Sequence, residues 1–480
     1  MSILSTLPSN ILPLVFNHLS RKDHYSLTQT CRFLYRESGP YLYRNITFTA
    51  KNSFSCAERL VLLLRTLLEQ PHLASLIRTY RLLGPQLCWN TFDPWPPADV
   101  AFPVNRWGLE GCSVLSKTQM LFASSQFSQL VDKEMHDSPA QFKGRSKDAL
   151  ALMVLTRLTQ LVRLEIGEGF MIYSLFLPQI LRRAPELFPR LGYVILGDKK
   201  SGPEDKVSYM DLNLIRPIFY TPTIQAFELS MTQPWRFDWK QPTAPLCENL
   251  TVLDLFRSNI HRELLAELLS TAPHLKRLSY EHDILIQVDV PGLSSPSAYT
   301  NINGLNKALS KVGPSLEQLR LTLKLDPAST SLEEMEKKGI SFPPIEGTLV
   351  ALRPMQNLST IDIPMIMILG WVSEFAARVE EVIPACVVHL TLSDDFSSFC
   401  PWISGFNCFR KIGLIGAYIV ERGIHAPEIE SFKLRMTEPR KNLWLNDAVQ
   451  DLRAQVTGSG ASYDLLKEDG VETHCWRFDT

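Results

Sequence analysis

A chain of 480 residues, 45% of them hydrophobic, is long enough to hold several domains or one repeat array with a continuous core. Its 49 basic and 50 acidic side chains leave a net charge of -1, which gives no bulk electrostatic footprint for nucleic acid or an anionic membrane. The nine cysteines are odd in number, scattered and free of any C-x-x-C pair, so a reducing, intracellular compartment is expected rather than a disulfide framework.

The N-terminus, MSILSTLP, lacks a basic segment leading into a long apolar run, so no secretory signal is expected. The stretch Leu7 to Arg36, LPSNILPLVFNHLSRKDHYSLTQTCRFLYR, opens the first folded element. Pro8 suits the first turn of a helix, and Ile11, Leu12, Val15, Phe16 and Leu19 follow at 3-4 spacing as one apolar stripe. Pro13 is expected to tighten or kink its early turns. A polar break at Ser20 to Asp23 precedes a second predicted helix, capped by Asp23 or Ser26, with Leu27, Cys31 and Leu34 as its apolar positions. Over residues 1-50 the five basic side chains Arg21, Lys22, Arg32, Arg36 and Arg44 face two acidic ones, Asp23 and Glu37. Small helices of this size cannot bury all their apolar surface among themselves, so a partner or the next domain has to cover the rest.

The pattern LP-x-x-I-L-x-x-V-F-x-x-L-x-x-x-D-x-x-x-L-x-x-x-C-R-x-L-Y resembles the F-box motif, and the continuation Tyr41 to Phe48 (YLYRNITF) is similar to the tail of fungal-type F-box proteins. The resemblance implies docking onto the small adaptor subunit of a cullin-RING (SCF) ubiquitin ligase. Carried over residue by residue, it implies an adaptor-binding surface formed or supported by Leu7, Pro8, Ile11, Leu12, Val15, Phe16, Leu19, Leu27, Cys31 and Leu34. Two positions depart from the motif: Asn10 replaces the common acidic residue, and Leu34-Tyr35 stands where many members place a Trp.

After a predicted linker helix and first repeat (51-83), a Pro/Trp-rich insertion is expected over 84-148. Its Trp89, Trp95 and Trp107 are read chiefly as anchors that pin a long excursion to the core, with recognition aromatics as the alternative. From 149 to 440 a frame L-x-x-L-x-L recurs, with Ile, Val, Phe or Tyr allowed: LVRLEI (161-166), LGYVIL (191-196), IQAFEL (224-229), LTVLDL (250-255), LKRLSY (275-280), LEQLRL (316-321), LSTIDI (358-363), VVHLTL (387-392), FRKIGL (409-414) and IESFKL (429-434). IRTYRL (77-82) offers an earlier turn. Successive frames lie roughly 20 to 42 residues apart, a spacing that brackets the leucine-rich-repeat period and its insertions. Helical patterns intervene at 261-270, 305-312 and 367-382, while 331-347 reads as a solvated loop. The apolar run Ile363 to Val372 is far shorter than the roughly 20 residues a bilayer requires and reads as buried core.

The expected fold class is therefore α/β: a small N-terminal helical F-box (1-50) followed by an irregular leucine-rich-repeat solenoid with parallel inner strands and outer helices, closed by a C-terminal cap (441-480). On such an array the side chains between the buried frame positions line the inner strand face. Glu165, Glu228, Asp254, Arg320, Asp362, Lys433 and the neighbouring Arg435 are the expected target-binding residues, acidic in the early half and mixed or basic later. No phosphate cradle, zinc-site spacing or H-E-x-x-H occurs, and Gly167-Glu168-Gly169 lacks the third Gly of a dinucleotide turn. No catalytic residue, metal or cofactor is expected.

The function expected from these features is non-catalytic: the substrate-recognition subunit of an SCF-type E3 ubiquitin ligase. Its partners would be the adaptor, through it the cullin-RING ligase, and a protein target, with neither nucleic acid nor membrane. Two other readings fit the same residues: an interaction scaffold without target turnover, and a stand-alone enzyme whose active site is assembled only in space.

Overall fold

The computed structural model describes residues 11-49, 53-83, 151, 153-167, 170, 177-197, 210-234, 236-239, 244-284, 301-325, 345-371, 377-395, 406-436, 443-468 and 471-478. The chain divides into two compact units, residues 1-198 with 214-224 and residues 199-213 with 225-480. The insertion at 84-148, with its three tryptophans, and most of the loop at 331-347 lie outside the described residues.

The first unit opens with three short helices, α1 (Leu12–Asn17), α2 (Arg21–Thr28) and α3 (Arg32–Arg44). Pro13 sits in the first turn of α1, where its missing N–H costs nothing, so it starts the helix instead of kinking it. The cap of α2 is Ser20, not Asp23 or Ser26. The Ser20 hydroxyl accepts from the Asp23 backbone N–H, and the Asp23 carboxylate accepts from the Ser20 backbone N–H at 2.9 Å, a reciprocal capping box. The expected second helix is in fact two, because Cys31 takes an extended backbone conformation at the start of α3. Leu12, Phe16 and Leu34 form the interior, with Leu19, Leu27 and Tyr41 packed on it. The buried His24 ring stacks on Tyr41 and its Nδ1 lies 2.8 Å from the Ser38 hydroxyl, which ties α2 to α3.

The sheet of this unit begins directly after α3. Strands β1 (Asn45–Thr49), β2 (Thr79–Leu83), β3 (Arg163–Ile166) and β4 (Tyr193–Leu196) pair in parallel in chain order, with α4 (Ser53–Glu69) between β1 and β2. Ile46, Tyr80, Leu164 and Val194 are register partners, as are Phe48, Leu82, Ile166 and Leu196, and all eight are buried. Each such row buries about 1.5–3 kcal/mol of apolar side chain per residue against the connecting segments. The segment NITFT, read from sequence as the tail of the helical motif, is thus the first strand of the sheet.

In the second unit a small pair, β5 (Met210–Asp211) and β7 (Met231–Thr232), flanks β6 (Ala226–Leu229) in sequence. The main sheet runs β6, β8 (Val252–Ser258), β9 (Arg277–Ile284), β10 (Gln318–Leu325), β11 (Thr360–Pro364), β12 (His389–Ser393) and β13 (Ser431–Met436), all parallel and consecutive. Leu253, Leu278, Leu319, Ile361, Leu390 and Phe432 make one buried row across it. Helices α5 (Arg262–Ser270) and α6 (Ile302–Leu309) connect β8 to β9 and β9 to β10, each with its leucines buried. One short strand, one return helix and the next parallel strand is the leucine-rich-repeat kind of unit, which buries its core only by stacking.

Two predicted elements are corrected. FRKIGL (409-414) is not a strand but part of α7 (Phe406–Val420), because Ile412, Ile415 and Ile419 are buried at helical spacing. The helix expected over 367-382 ends at Leu369, where Gly370 takes a left-handed φ of 76°, and a separate turn follows at Val379–Val382. Beyond β13 the helix α8 (Leu443–Gly458) packs on α7, and β14 (Ser462–Glu468) and β15 (Val471–Arg477) form an antiparallel hairpin whose β15 pairs with β13. The fully buried Trp476 stacks on Phe432 there, closing the row of strands.

Candidate protein-interaction surfaces

On the three N-terminal helices the predicted adaptor-binding residues separate into layers. Leu7 and Pro8 lie outside the described residues. Leu12, Phe16 and Leu34 are buried, so they support the fold from within; Val15, Leu19 and Leu27 are half-buried, while Ile11 and Cys31 are exposed. The structure adds residues that the buried stripe conceals: Leu14 is 60% exposed on α1, and Phe33 and Tyr35, the latter 58% exposed, stand out at the start of α3. Leu14, three residues after Ile11, shares that residue's exposed face of the helix, away from the buried Leu12 and Phe16.

On the sheets, the residues predicted to line the strand face do form lateral rows. In the second unit Glu228, Asp254, Ser279, Arg320, Asp362, Thr391 and Lys433 are successive register partners. In the first, Thr47, Arg81, Glu165 and Ile195 are. The frame FRKIGL would place Gly413 in the same row, but Gly413 is in α7.

Charge along these rows is largely satisfied internally. Arg81 donates from Nε at 2.7 Å and from Nη2 at 2.9 Å to the two oxygens of Glu165, a bidentate pair, and Arg163 approaches the same carboxylate at 3.7 Å. Asp362 accepts from Arg435 at 3.0 Å and lies 3.3 Å from Arg320. Lys324 pairs with Glu281 on the adjacent strand. At Glu165 the strand face is therefore not an open acidic surface: its carboxylate is almost buried beneath two arginines. Arg320 and Lys433 keep open access to solvent, and Glu228 and Asp254 are half-buried.

Among the described residues, no group of three His, Cys, Asp or Glu side chains is placed to hold a metal ion. Cys386 donates to the Met355 carbonyl oxygen, and burial pushes its thiol pKa up, away from the thiolate that metal binding or nucleophilic attack requires. No described helix is long and apolar enough to cross a membrane.

A helical N-terminal region followed by parallel strands with return helices is a leucine-rich-repeat-like architecture, in which stacked strand-helix units share a core. Residues 4–49 match the family model described as F-box-like, so the chain carries an F-box-like domain there. Among solved structures, an internalin (InlF) from Listeria monocytogenes is similar at 14% identity and a TM-score of 0.19, the match covering 43% of this chain and 56% of that one. The chain thus spans little more than half the length of that protein. No curated protein matches. F-box-like domains and leucine-rich-repeat-like folds are typically interaction modules rather than catalysts.

Proposed function

We propose that the protein is the intracellular target-recognition subunit of an SCF-type cullin-RING ubiquitin ligase. The three helices bind the small adaptor subunit, and the strand face binds a protein target. One observation supports this reading above the others. The F-box-like match at residues 4–49 coincides with a three-helix fold that keeps Leu12, Phe16 and Leu34 inside and leaves Ile11, Leu14, Phe33 and Tyr35 in solvent. Exposed aromatic and aliphatic side chains on so small a domain are the anchors an obligate partner buries. The chain does no bond chemistry in this scheme. It raises the effective concentration of target lysines beside a conjugating enzyme carried by other subunits.

The experiment is co-purification of the full chain with the purified adaptor, beside a variant carrying Leu14→Ala and Tyr35→Ala. Capture by wild type and at least about tenfold weaker capture by the variant is the expected result. Failure of wild type to bind the adaptor overturns the proposal. Adaptor binding without ubiquitination of any captured partner in a reconstituted ligase leaves a scaffold instead.

A further inference from the structure

Within the first unit, a cleft of about 950 Å3 opens between the three helices and the beginnings of β1 and β2. Arg21 at the start of α2, Arg44 at the end of α3 and Arg78 just before β2 all line it, and none of its described lining residues is a carboxylate. Among the described residues, Arg21 and Arg44 have no ion-pair partner and both are exposed. Arg78 donates to the backbone and side-chain oxygens of Gln160, at 3.0 and 2.9 Å, so its charge is oriented but not neutralised. The positive region continues onto the strand face. Thr79, in the cleft wall, is the register partner of Arg163, which shares Glu165 with Arg81. Three arginines therefore line the cleft, and on the adjoining strands Arg81 and Arg163 share one glutamate, in a protein whose overall charge is -1.

We infer that this cleft binds an acidic segment of a partner protein. Its size exceeds what one small anion fills, and the neutral polar side chains of Asn17, Asn45, Thr47 and Thr79 in its wall suit the N–H and C=O groups of a peptide backbone. The arginine guanidinium groups suit carboxylates or phosphates alike, and so select acidic or phosphorylated side chains. The near-neutral charge of the whole chain disfavours a long polyanion that would run beyond the cleft. The inference deepens the receptor reading, on which it rests, by giving the target a chemistry and by placing its contact beside the docking helices.

The test is fluorescence anisotropy on the full chain with three labelled peptides: one rich in glutamate, the same peptide with phosphoserines in place of alternate glutamates, and a lysine-rich control. Both acidic peptides are expected to bind and the control not to, with the phosphoserine peptide tighter if phosphate is the preferred anion. Arg21→Glu with Arg44→Glu is expected to weaken binding at least about tenfold, and Asn45→Glu, a milder change at an exposed wall position, to weaken it as well. Arg410→Glu, on α7, is expected to leave it unchanged. Absence of binding by either acidic peptide, equal affinity for wild type and the double reversal, or tighter binding of a single-stranded RNA oligomer would each overturn the inference. Adaptor capture is measured on the same preparations. Its loss in wild type sinks the receptor reading, whereas its retention without peptide binding sinks the cleft alone.

Discussion

Asp395 lies just beyond β12, 8% exposed, and its Oδ2 accepts a hydrogen bond from the Leu323 backbone N–H at 3.1 Å. Burial pushes its carboxyl up to about 6, against the opposing pull of Arg435, the Leu323 N–H and Ser393. In the unfolded chain an aspartate titrates near 3.9. Between about pH 4 and pH 6 the native state therefore keeps a proton that the unfolded state has lost. Stability from this group is present below pH 4 and falls as pH rises through 6. A displacement of about two pH units at about 1.4 kcal/mol each makes the cost near neutrality about 3 kcal/mol. Asp395→Asn keeps an oxygen for the Leu323 N–H and carries no charge to desolvate. It is expected to stabilise the second unit by up to about 3 kcal/mol at pH 7 and to change it little at pH 4. Urea denaturation of both proteins at the two pH values, followed with hydrogen exchange of the Leu323 amide, reads the difference. If the variant is the less stable protein at pH 7, the pull of Arg435 and the hydrogen bonds outweighs the cost of burial and the reasoning fails.

Phe16→Ala removes the largest member of the helical core and is expected to cost about 3–5 kcal/mol, accelerating amide exchange throughout residues 12-44, whereas Tyr35→Ala is expected to change stability by no more than about 0.5 kcal/mol while weakening adaptor capture. Equal stability losses for the two would mean that the buried and exposed layers are wrongly assigned. Among the described residues, Arg435→Met leaves Asp362 with only the exposed Arg320, and Asp362 Oδ1 already has no hydrogen-bond partner there. A loss of about 1–3 kcal/mol in urea titration is expected, partly recovered by adding Asp362→Leu, and a single substitution as stable as wild type would show that the pair is not coupled.

The strands were legible because a half-buried strand needs its large residues two apart, and LTVLDL, LKRLSY and LEQLRL keep that spacing with leucine or tyrosine. FRKIGL satisfies the same loose frame by accident. Ile412, Ile415 and Ile419 extend past it at three- and four-residue intervals, and the longer window was the better guide. The cross-strand ion pairs were not legible at all, since Arg81 and Glu165 are 84 residues apart and Arg435 and Asp362 are 73 apart. Nothing local distinguishes a charge that meets a neighbour from one that meets water. The helical motif points to residues that form or support a surface, and burial divides them between the two roles. Apolar spacing reports that Leu12, Phe16 and Leu34 need cover, and the three helices supply it to one another. The apolar side chains left in solvent include Ile11, Leu14, Phe33 and Tyr35.

On the proposed receptor reading, this internal pairing decides which strand-face residues can read a target. Breaking the bidentate Arg81–Glu165 pair would leave a nearly buried carboxylate without its main partner, a penalty of about 3–5 kcal/mol for a pair with one buried member, more than a new contact at a solvated face returns. Asp362 and Arg435 are held in the same way, each about 20% exposed. Arg320 differs: at 58% exposure it can turn from Asp362 to a target carboxylate while Asp362 keeps Arg435, so the exchange leaves no charge stranded. Lys433 and the half-buried Glu228 and Asp254 are reachable along the same row. A charge-reversal scan of the row should therefore find target affinity changed, with stability held, at Arg320 and Lys433, and stability lost first at Glu165, Asp362 and Arg435. The reverse ranking would mean that the cross-strand pairs open on binding and that the strand face is reset by its target.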